Sequence, residues 1–186
     1  MGNRTGTYIA FHAGGTTDPT KSDIKYYNML KMWSAHKHIE FRFVNSHDKT
    51  AAVRDSSLRA TLKSRLVKRL QLSKRFLIII TETTKNDTDW VPFEIEYGID
   101  VCELPVIAAY PEYAAITAPH QLAFLWPPAL RTRIEAGRAR VIHIPFKKGP
   151  LLDAVSQFSL LNKKNLIGGY NHYSQRDQVN WDCYNF

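Results

Sequence analysis

The sequence predicts an α/β fold in which helices cover both faces of one parallel sheet. Short apolar segments alternate with amphipathic helical patterns five times along the 186 residues, and this alternation is typical of parallel α/β folds. Residues 76–80 form a continuous apolar run, as expected of a central strand that is buried on both faces. A chain of this length can bury the core of a single domain without disulfides.

Five segments have the composition of strands, because they are short and rich in β-branched or aromatic residues. They are residues 7–12, 39–44, 75–81, 104–110 and 140–146. The second alternates between apolar and polar residues, which places it at an edge of the sheet. Helical patterns separate the strands. The first runs from residue 22 or 23 to about 36, and the second begins at 55 or 56 and carries leucines 58, 62, 66 and 70. The other three cover residues 89 to about 103, about 130–136, and 150 to about 160.

The usual order for five such strands is 2-1-3-4-5, the flavodoxin-like arrangement. This order places a ligand crevice between the loops that leave the first and third strands, which are residues 12–18 and 82–89. We expect this domain to span residues 1–160 and an aromatic-rich C-terminal tail, residues 161–186, to pack on it.

Composition and charge limit the classes of function. The net charge of +8 favours anionic partners such as nucleotides, nucleic acid or an acidic surface. No run of about 18 apolar residues occurs, so no membrane span is predicted. Cys102 and Cys183 are far apart and no secretory signal is evident, so we expect reduced thiols and a cytoplasmic protein. Histidines 36, 38 and 47 lack the spacing of a zinc site, and no metal is predicted.

The helix predicted to begin at Asp89, with this residue as its N-cap, carries a carboxylate in an unusual place. The polar face of the helix consists of Glu96, Asp100 and Glu103. Glu94 lies off that face, at helical spacing from Trp90 and Tyr97. A carboxylate on an apolar stripe is costly unless it is paired or used. Either Glu94 reaches water or a lysine at the edge of the stripe, or it acts in a pocket walled by the two aromatic rings. Its position beside the predicted crevice favours the second interpretation.

Two further features stay open at this level. His12 either binds a ligand or is a satisfied histidine at the end of a strand, and the following Gly14–Gly15 pair completes neither nucleotide fingerprint. The helix after residue 55 places arginines and lysines opposite its leucine stripe. These charges are most simply a solvated face, and nucleic-acid binding is not expected because aromatic residues are not interleaved with them.

Three segments resemble TIR domains: residues 8–12 with the sequence Tyr-Ile-Ala-Phe-His, residues 76–81, and residues 89–95 with their Trp-Val-x-x-Glu pattern. The resemblance covers about residues 5 to 110 and is closest to the TIR-like branch of the bacterial Thoeris anti-phage system. The aspartate before the tryptophan and the long segment from residue 111 depart from the general TIR pattern.

The resemblance implies an enzyme that consumes NAD⁺ as a substrate, needs no cofactor, and uses Glu94 as its catalytic residue. The implied substrate-binding residues are Phe11, His12, Ala13, Asn45, Asp48, Trp90 and Tyr97. Thoeris relatives release nicotinamide and cyclise the ADP-ribose into a signal that activates a separate effector protein. That effector is thus an expected partner, with self-association left open. The alternative is a non-catalytic TIR-type scaffold for protein interactions.

Overall fold

Six parallel strands form one sheet in the part of the chain that the structure, a computed structural model, describes. This part comprises residues 4–16, 18, 20, 22–35, 43–44, 56–166 and 168–183. The strands are β1 (Gly6–Ala10), β2 (Phe43–Val44), β3 (Ser73–Ile79), β4 (Val106–Tyr110), β5 (Val141–Pro145) and β6 (Asn171–His172). They are ordered β2-β1-β3-β4-β5-β6, so β1 and β3 are neighbours and their carboxyl ends meet at one edge of the sheet.

The sheet contains the five predicted strands, and the C-terminal segment adds a short sixth strand beside β5. In β6, Asn171 pairs with Ile142 of β5, and its side-chain amide donates to the Val141 carbonyl at 2.9 Å. A strand of two polar residues has no apolar pattern by which it could be recognised. Of the strand predicted over residues 39–44, the described part is β2, which pairs with Thr7 and Tyr8 at the sheet edge.

The described residues form six α-helices; the first five follow the predicted pattern with shifted ends, and the sixth lies in the predicted C-terminal tail. They are α1 (Ile24–Ser34), α2 (Ser56–Leu72), α3 (Trp90–Glu96), α4 (Pro128–Glu135), α5 (Lys148–Gln157) and α6 (Gln175–Cys183). Short 3₁₀ segments occur at Thr84–Asn86, Pro119–Leu125 and Leu160–Asn165. The helix predicted to reach residue 103 ends earlier as an α-helix, because a π-helical turn over Tyr97–Val101 follows α3.

Two apolar clusters fill the two faces of the sheet. One cluster joins Tyr8 and Phe76 of the strands to the leucine stripe of α2 and to residues of α3 and α4. The other joins Ile9 and Leu77 to α1 and α5. Successive residues of β1 therefore point to opposite faces, as the period of a strand requires. The sheet is therefore covered by helices on both sides.

A buried polar network connects β4 and β5 to the C-terminal segment. His143 Nδ1 lies 2.7 Å from the Tyr110 hydroxyl, and its Nε2 lies 2.7 Å from the Gly169 carbonyl. The Trp126 indole donates to the same hydroxyl at 2.8 Å. Burial lowers the pKa of His143 to about 4, because charging the imidazole there would lose its hydration. At neutral pH the ring is therefore an uncharged part of the core.

The Gln178 side chain of α6 exchanges hydrogen bonds with the backbone of Ile116, accepting at 2.7 Å and donating at 2.8 Å.

Among the described residues, none of the helices has the length and apolar character that crossing a membrane requires.

Candidate active site

Glu94 lies on α3 and is completely buried, with 0% of its surface exposed. The Tyr8 hydroxyl of β1 donates to Glu94 Oε1 at 2.5 Å. This geometry contradicts the interpretation in which Glu94 reaches water at the edge of the stripe. It also agrees with the energetic argument from the sequence, since a buried carboxylate requires a hydrogen-bond donor.

Tyr8 is a site residue that the sequence did not reveal, because its pairing with Glu94 joins residues 86 positions apart. Its ring stacks on Phe76 of β3 with 5.7 Å between the centroids. The pKa of Tyr8 is raised well above its usual value, first by burial and then by the negative charge of Glu94. Tyr8 therefore stays protonated and remains a donor to the carboxylate.

Helix α2 packs on the same face of the sheet, and two of its basic side chains contact residues at the start of α3. The Arg59 guanidinium forms an ion pair with Asp89 and lies 5.3 Å from the centre of the Trp90 ring. Lys63 lies 4.5 Å from the centre of the Phe93 ring. Arg59 and Lys63 are exposed, as a solvated face requires, and both also lie against aromatic side chains of α3.

Asp89 directly precedes α3, as predicted for its N-cap, but the side chain of Asp87 makes the capping hydrogen bonds. Asp89 makes no side-chain capping bond. Instead, Asp87 Oδ1 accepts the backbone N–H groups of Asp89, Trp90 and Val91 at 3.0, 2.9 and 3.2 Å. The other carboxylate oxygen of Asp87, Oδ2, lies 3.3 Å from His12 Nδ1. His12 thereby links the end of β1 to the start of α3.

Phe11 and Ala13, two of the predicted substrate-binding residues, lie on the α1 side of the sheet. Phe11 is 1% exposed and stacks on Tyr27 at 5.0 Å, and Ala13 packs against the same cluster. Glu94 belongs to the opposite face. The structure thus brings neither residue to the carboxylate.

The two predicted aromatic walls, Trp90 and Tyr97, are half-buried on the Glu94 side and pack against its cluster. The Tyr97 hydroxyl accepts a hydrogen bond from Gln71 of α2 at 3.0 Å. Asn45 and Asp48 lie outside the described residues.

A cavity of about 250 Å³ borders the loop after β3, which is one of the two walls of the predicted crevice. It is lined by Thr20, Ser22, Asp23, Lys25, Tyr26, Thr81, Glu82, Thr83 and Glu112. Asp23 is 4% exposed and accepts hydrogen bonds from the Thr81 hydroxyl at 3.0 and 3.1 Å. Burial, as the largest effect, raises the pKa of Asp23. Glu94 does not line this cavity, so the cavity and the carboxylate are separate features of this conformation.

Two further chemistry-bearing residues, Cys102 and Asp100, take part in packing and ion pairing. Cys102 is a free, buried thiol whose pKa is raised by burial. The exposed acid Asp100 pairs with Arg133 of α4 through bonds of 3.0 Å to both carboxylate oxygens. Within the ranges that the structure describes, no group of three or more His, Cys, Asp or Glu side chains could hold a metal ion. Histidines 36, 38 and 47 lie outside those ranges.

The covered parallel sheet and the buried acid on the helix after β3 define a TIR-like α/β domain. A family model described as "Thoeris protein ThsB, TIR-like domain" matches residues 8–116. The match covers more than half of the chain, and the chain belongs to this family. Thoeris is a bacterial anti-phage defence system, so the chain has a general role in anti-phage defence. The match includes both Tyr8 and Glu94.

Proposed function

We propose that this protein is an NAD⁺ glycohydrolase and ADP-ribosyl cyclase that uses Glu94 as its catalytic carboxylate. The observation that carries the proposal is the position of Glu94: it is buried on α3 and bonded to the Tyr8 hydroxyl at 2.5 Å, in a chain of the ThsB TIR-like family. A fully buried carboxylate on an apolar helical stripe is the kind of group that functional sites retain despite its energetic cost.

The reaction fits a single carboxylate. When the bond between the ribose C1′ atom and nicotinamide breaks, its electron pair stays with the nicotinamide nitrogen. Nicotinamide leaves as a neutral molecule because it was cationic when bound, so no general acid is needed. The ribose becomes oxocarbenium-like, and a carboxylate can hold its hydroxyls and stabilise the positive charge. Water then attacks C1′ to give ADP-ribose, or a nucleophile of the ADP part attacks to give a cyclic product.

NAD⁺ reaches Glu94 in this proposal only after the elements that cover it move apart, since the side chain has no exposed surface. The contacts between α2 and α3 are suited to such a movement. Arg59 and Asp89 are well exposed, at 59% and 42% of their side-chain surfaces, and exposed ion pairs contribute at most about 1 kcal/mol. Trp90 and Tyr97, at this boundary, would then be available to stack on the nicotinamide or adenine ring.

The full burial of Glu94 also favours a second candidate, a non-catalytic TIR-type scaffold. In that case the hydrogen bond between Tyr8 and Glu94 is only structural, and surface charges of α2 such as Arg65 and Lys68 would determine partner binding. The cyclic nucleotide product and the separate effector that it activates belong to the first proposal alone. The two functions therefore differ in one observable, the release of nicotinamide.

The experiment compares wild-type protein with Glu94→Gln and Glu96→Gln, each incubated with NAD⁺ and followed by chromatography of the products. Glu96 is the matched control because it is exposed and lies two residues further along α3. Wild type and Glu96→Gln should release nicotinamide, whereas Glu94→Gln should not, although its circular dichroism should remain that of a folded protein. The assay is repeated with lysates of phage-infected cells that express each variant. Equal activity of Glu94→Gln, or no activity of the wild type in either setting, rejects the enzyme in favour of the scaffold.

A further inference from the structure

The N-terminus of α3 depends on one side chain. Asp87 Oδ1 accepts three backbone N–H groups at the start of the helix, those of Asp89, Trp90 and Val91. The first N–H groups of a helix have no partner within the helix, so this one oxygen satisfies donors that would otherwise require water. Glu94 follows Trp90 by four residues, which is about one turn. Any change in where α3 begins is therefore transmitted to the carboxylate.

His12 holds the second oxygen of this capping carboxylate. Its Nδ1 atom lies 3.3 Å from Asp87 Oδ2, and the side chains of His12 and Asp87 are only 22% and 11% exposed. An ionised carboxylate can only accept hydrogen bonds, so Nδ1 must carry the proton in this pair. The ring is thus oriented by Asp87 and in turn limits the rotation of Asp87.

The backbone of His12 is fixed as well. Its carbonyl accepts the Asp23 N–H group at 3.2 Å, directly before α1 begins. The Asp23 carboxylate is bonded to Thr81, which follows β3. His12 is therefore anchored to β1, α1 and the end of β3 together, and it can act as a fixed point from which α3 is positioned.

We propose that His12 is a positioning residue that acts through Asp87 to place α3 and Glu94, and that it does not contact the substrate. Where NAD⁺ cleavage is the measured quantity, the inference rests on the proposed function. It differs from the substrate-binding role that the resemblance to TIR domains implied for His12. The mechanism is a relay of contacts from the His12 ring through the Asp87 carboxylate to the backbone of α3.

The first test is a double-mutant cycle on NAD⁺ cleavage with His12→Ala, Asp87→Asn and the double variant. Asparagine is also a good capping residue, so Asp87→Asn keeps the cap oxygen and removes the negative charge that His12 binds. His12→Ala should lower kcat about tenfold or more, since small displacements of a catalytic group are costly, and should change KM less than about twofold. In the Asp87→Asn background the same change should have almost no further effect. His12→Asn, which retains an N–H donor near the position of Nδ1, should restore most of kcat.

The second test does not depend on activity. Amide hydrogen exchange is measured on peptides that cover residues 88–96, with peptides from β3 as the internal control. His12→Ala should accelerate exchange in residues 88–96 severalfold and leave β3 unchanged, and His12→Asn should resemble the wild type. This arm keeps the inference testable if the wild-type protein proves to have no NAD⁺-cleaving activity.

Each result has a defined meaning. A cycle that is non-additive in kcat, together with faster exchange at the start of α3, supports the relay. An increase in KM that is the same in both Asp87 backgrounds, with unchanged exchange, shows that His12 contacts the substrate and overturns the inference. Unchanged exchange in His12→Ala also overturns it where no activity is measurable, whereas faster exchange in an inactive protein supports the relay and rejects only the proposed enzyme.

Discussion

Replacing Tyr8 with phenylalanine removes one oxygen atom and should destabilise the protein measurably. The ring keeps its stacking on Phe76 at 5.7 Å, so the main loss is the 2.5 Å hydrogen bond to Glu94. Hydrogen bonds to charged groups contribute about 1.5–3 kcal/mol, and Tyr8→Phe leaves the buried carboxylate with one donor fewer. With a loss of about 2 kcal/mol, the midpoint of thermal unfolding of a chain of this size should fall by about 4–8 °C.

The assay is urea unfolding of wild type, Tyr8→Phe, Glu94→Gln and the double variant at one pH. In the Glu94→Gln background the acceptor is neutral, so Tyr8→Phe should cost only about 1 kcal/mol, and the cycle should show a coupling of about 1 kcal/mol between the two residues. The reasoning is refuted if Tyr8→Phe unfolds at the wild-type midpoint. That result would mean that Glu94 does not accept a hydrogen bond from Tyr8 in the folded protein, and that the carboxylate lies elsewhere.

Three other predictions concern the core and the surface of α2. Burial holds the pKa of His143 at about 4, below its usual value of about 6.5. Between these pH values the unfolded chain binds more protons than the folded protein, so the free energy of unfolding should fall by about 3 kcal/mol as the pH drops through this window. Urea midpoints measured from pH 7 to 4 should show this slope in the wild type and a flatter one in His143→Gln. Gly169→Ala should destabilise by about 1–3 kcal/mol, because the added Cβ would lie 2.5 Å from Ile134 Cγ2, and thermal unfolding that matches the wild type would contradict this packing. Arg59→Ala should change the free energy of unfolding by less than about 1 kcal/mol, since its pair with Asp89 is well exposed; a larger loss by urea unfolding would show that α2 is held on α3 more firmly than its contacts indicate.

The main strands could be predicted because a parallel sheet buries both faces, which leaves apolar runs such as residues 76–80 in the sequence. The sequence of β6 contains no apolar run, because its two residues pair with β5 through backbone groups. The end of α3 was also missed. The π-helical turn at Tyr97–Val101 brings Gly98 so close to Phe76 that a Cβ would lie 3.3 Å from its ring, and this tertiary contact leaves no periodic pattern.

The candidate site was predictable in its central residue and not in its surroundings. Glu94 stood out because an acid interrupted an apolar helical stripe. Its donor Tyr8 appeared to be an ordinary strand aromatic, and only the folded sheet brings the two together. Similarly, two aspartates precede α3, and sequence position favours Asp89 as the cap. The backbone geometry selects Asp87, because its Oδ1 atom is the one within 2.9–3.2 Å of three N–H groups.

Nicotinamide release by Glu94→Gln and Glu96→Gln, measured side by side at equal protein and NAD⁺ concentrations, tests the central claim most directly. If the buried acid bonded to Tyr8 performs the reaction, the first variant releases no nicotinamide while the second keeps the wild-type rate. If both variants retain that rate, the carboxylate of Glu94 only supports the fold, and the catalytic assignment is wrong.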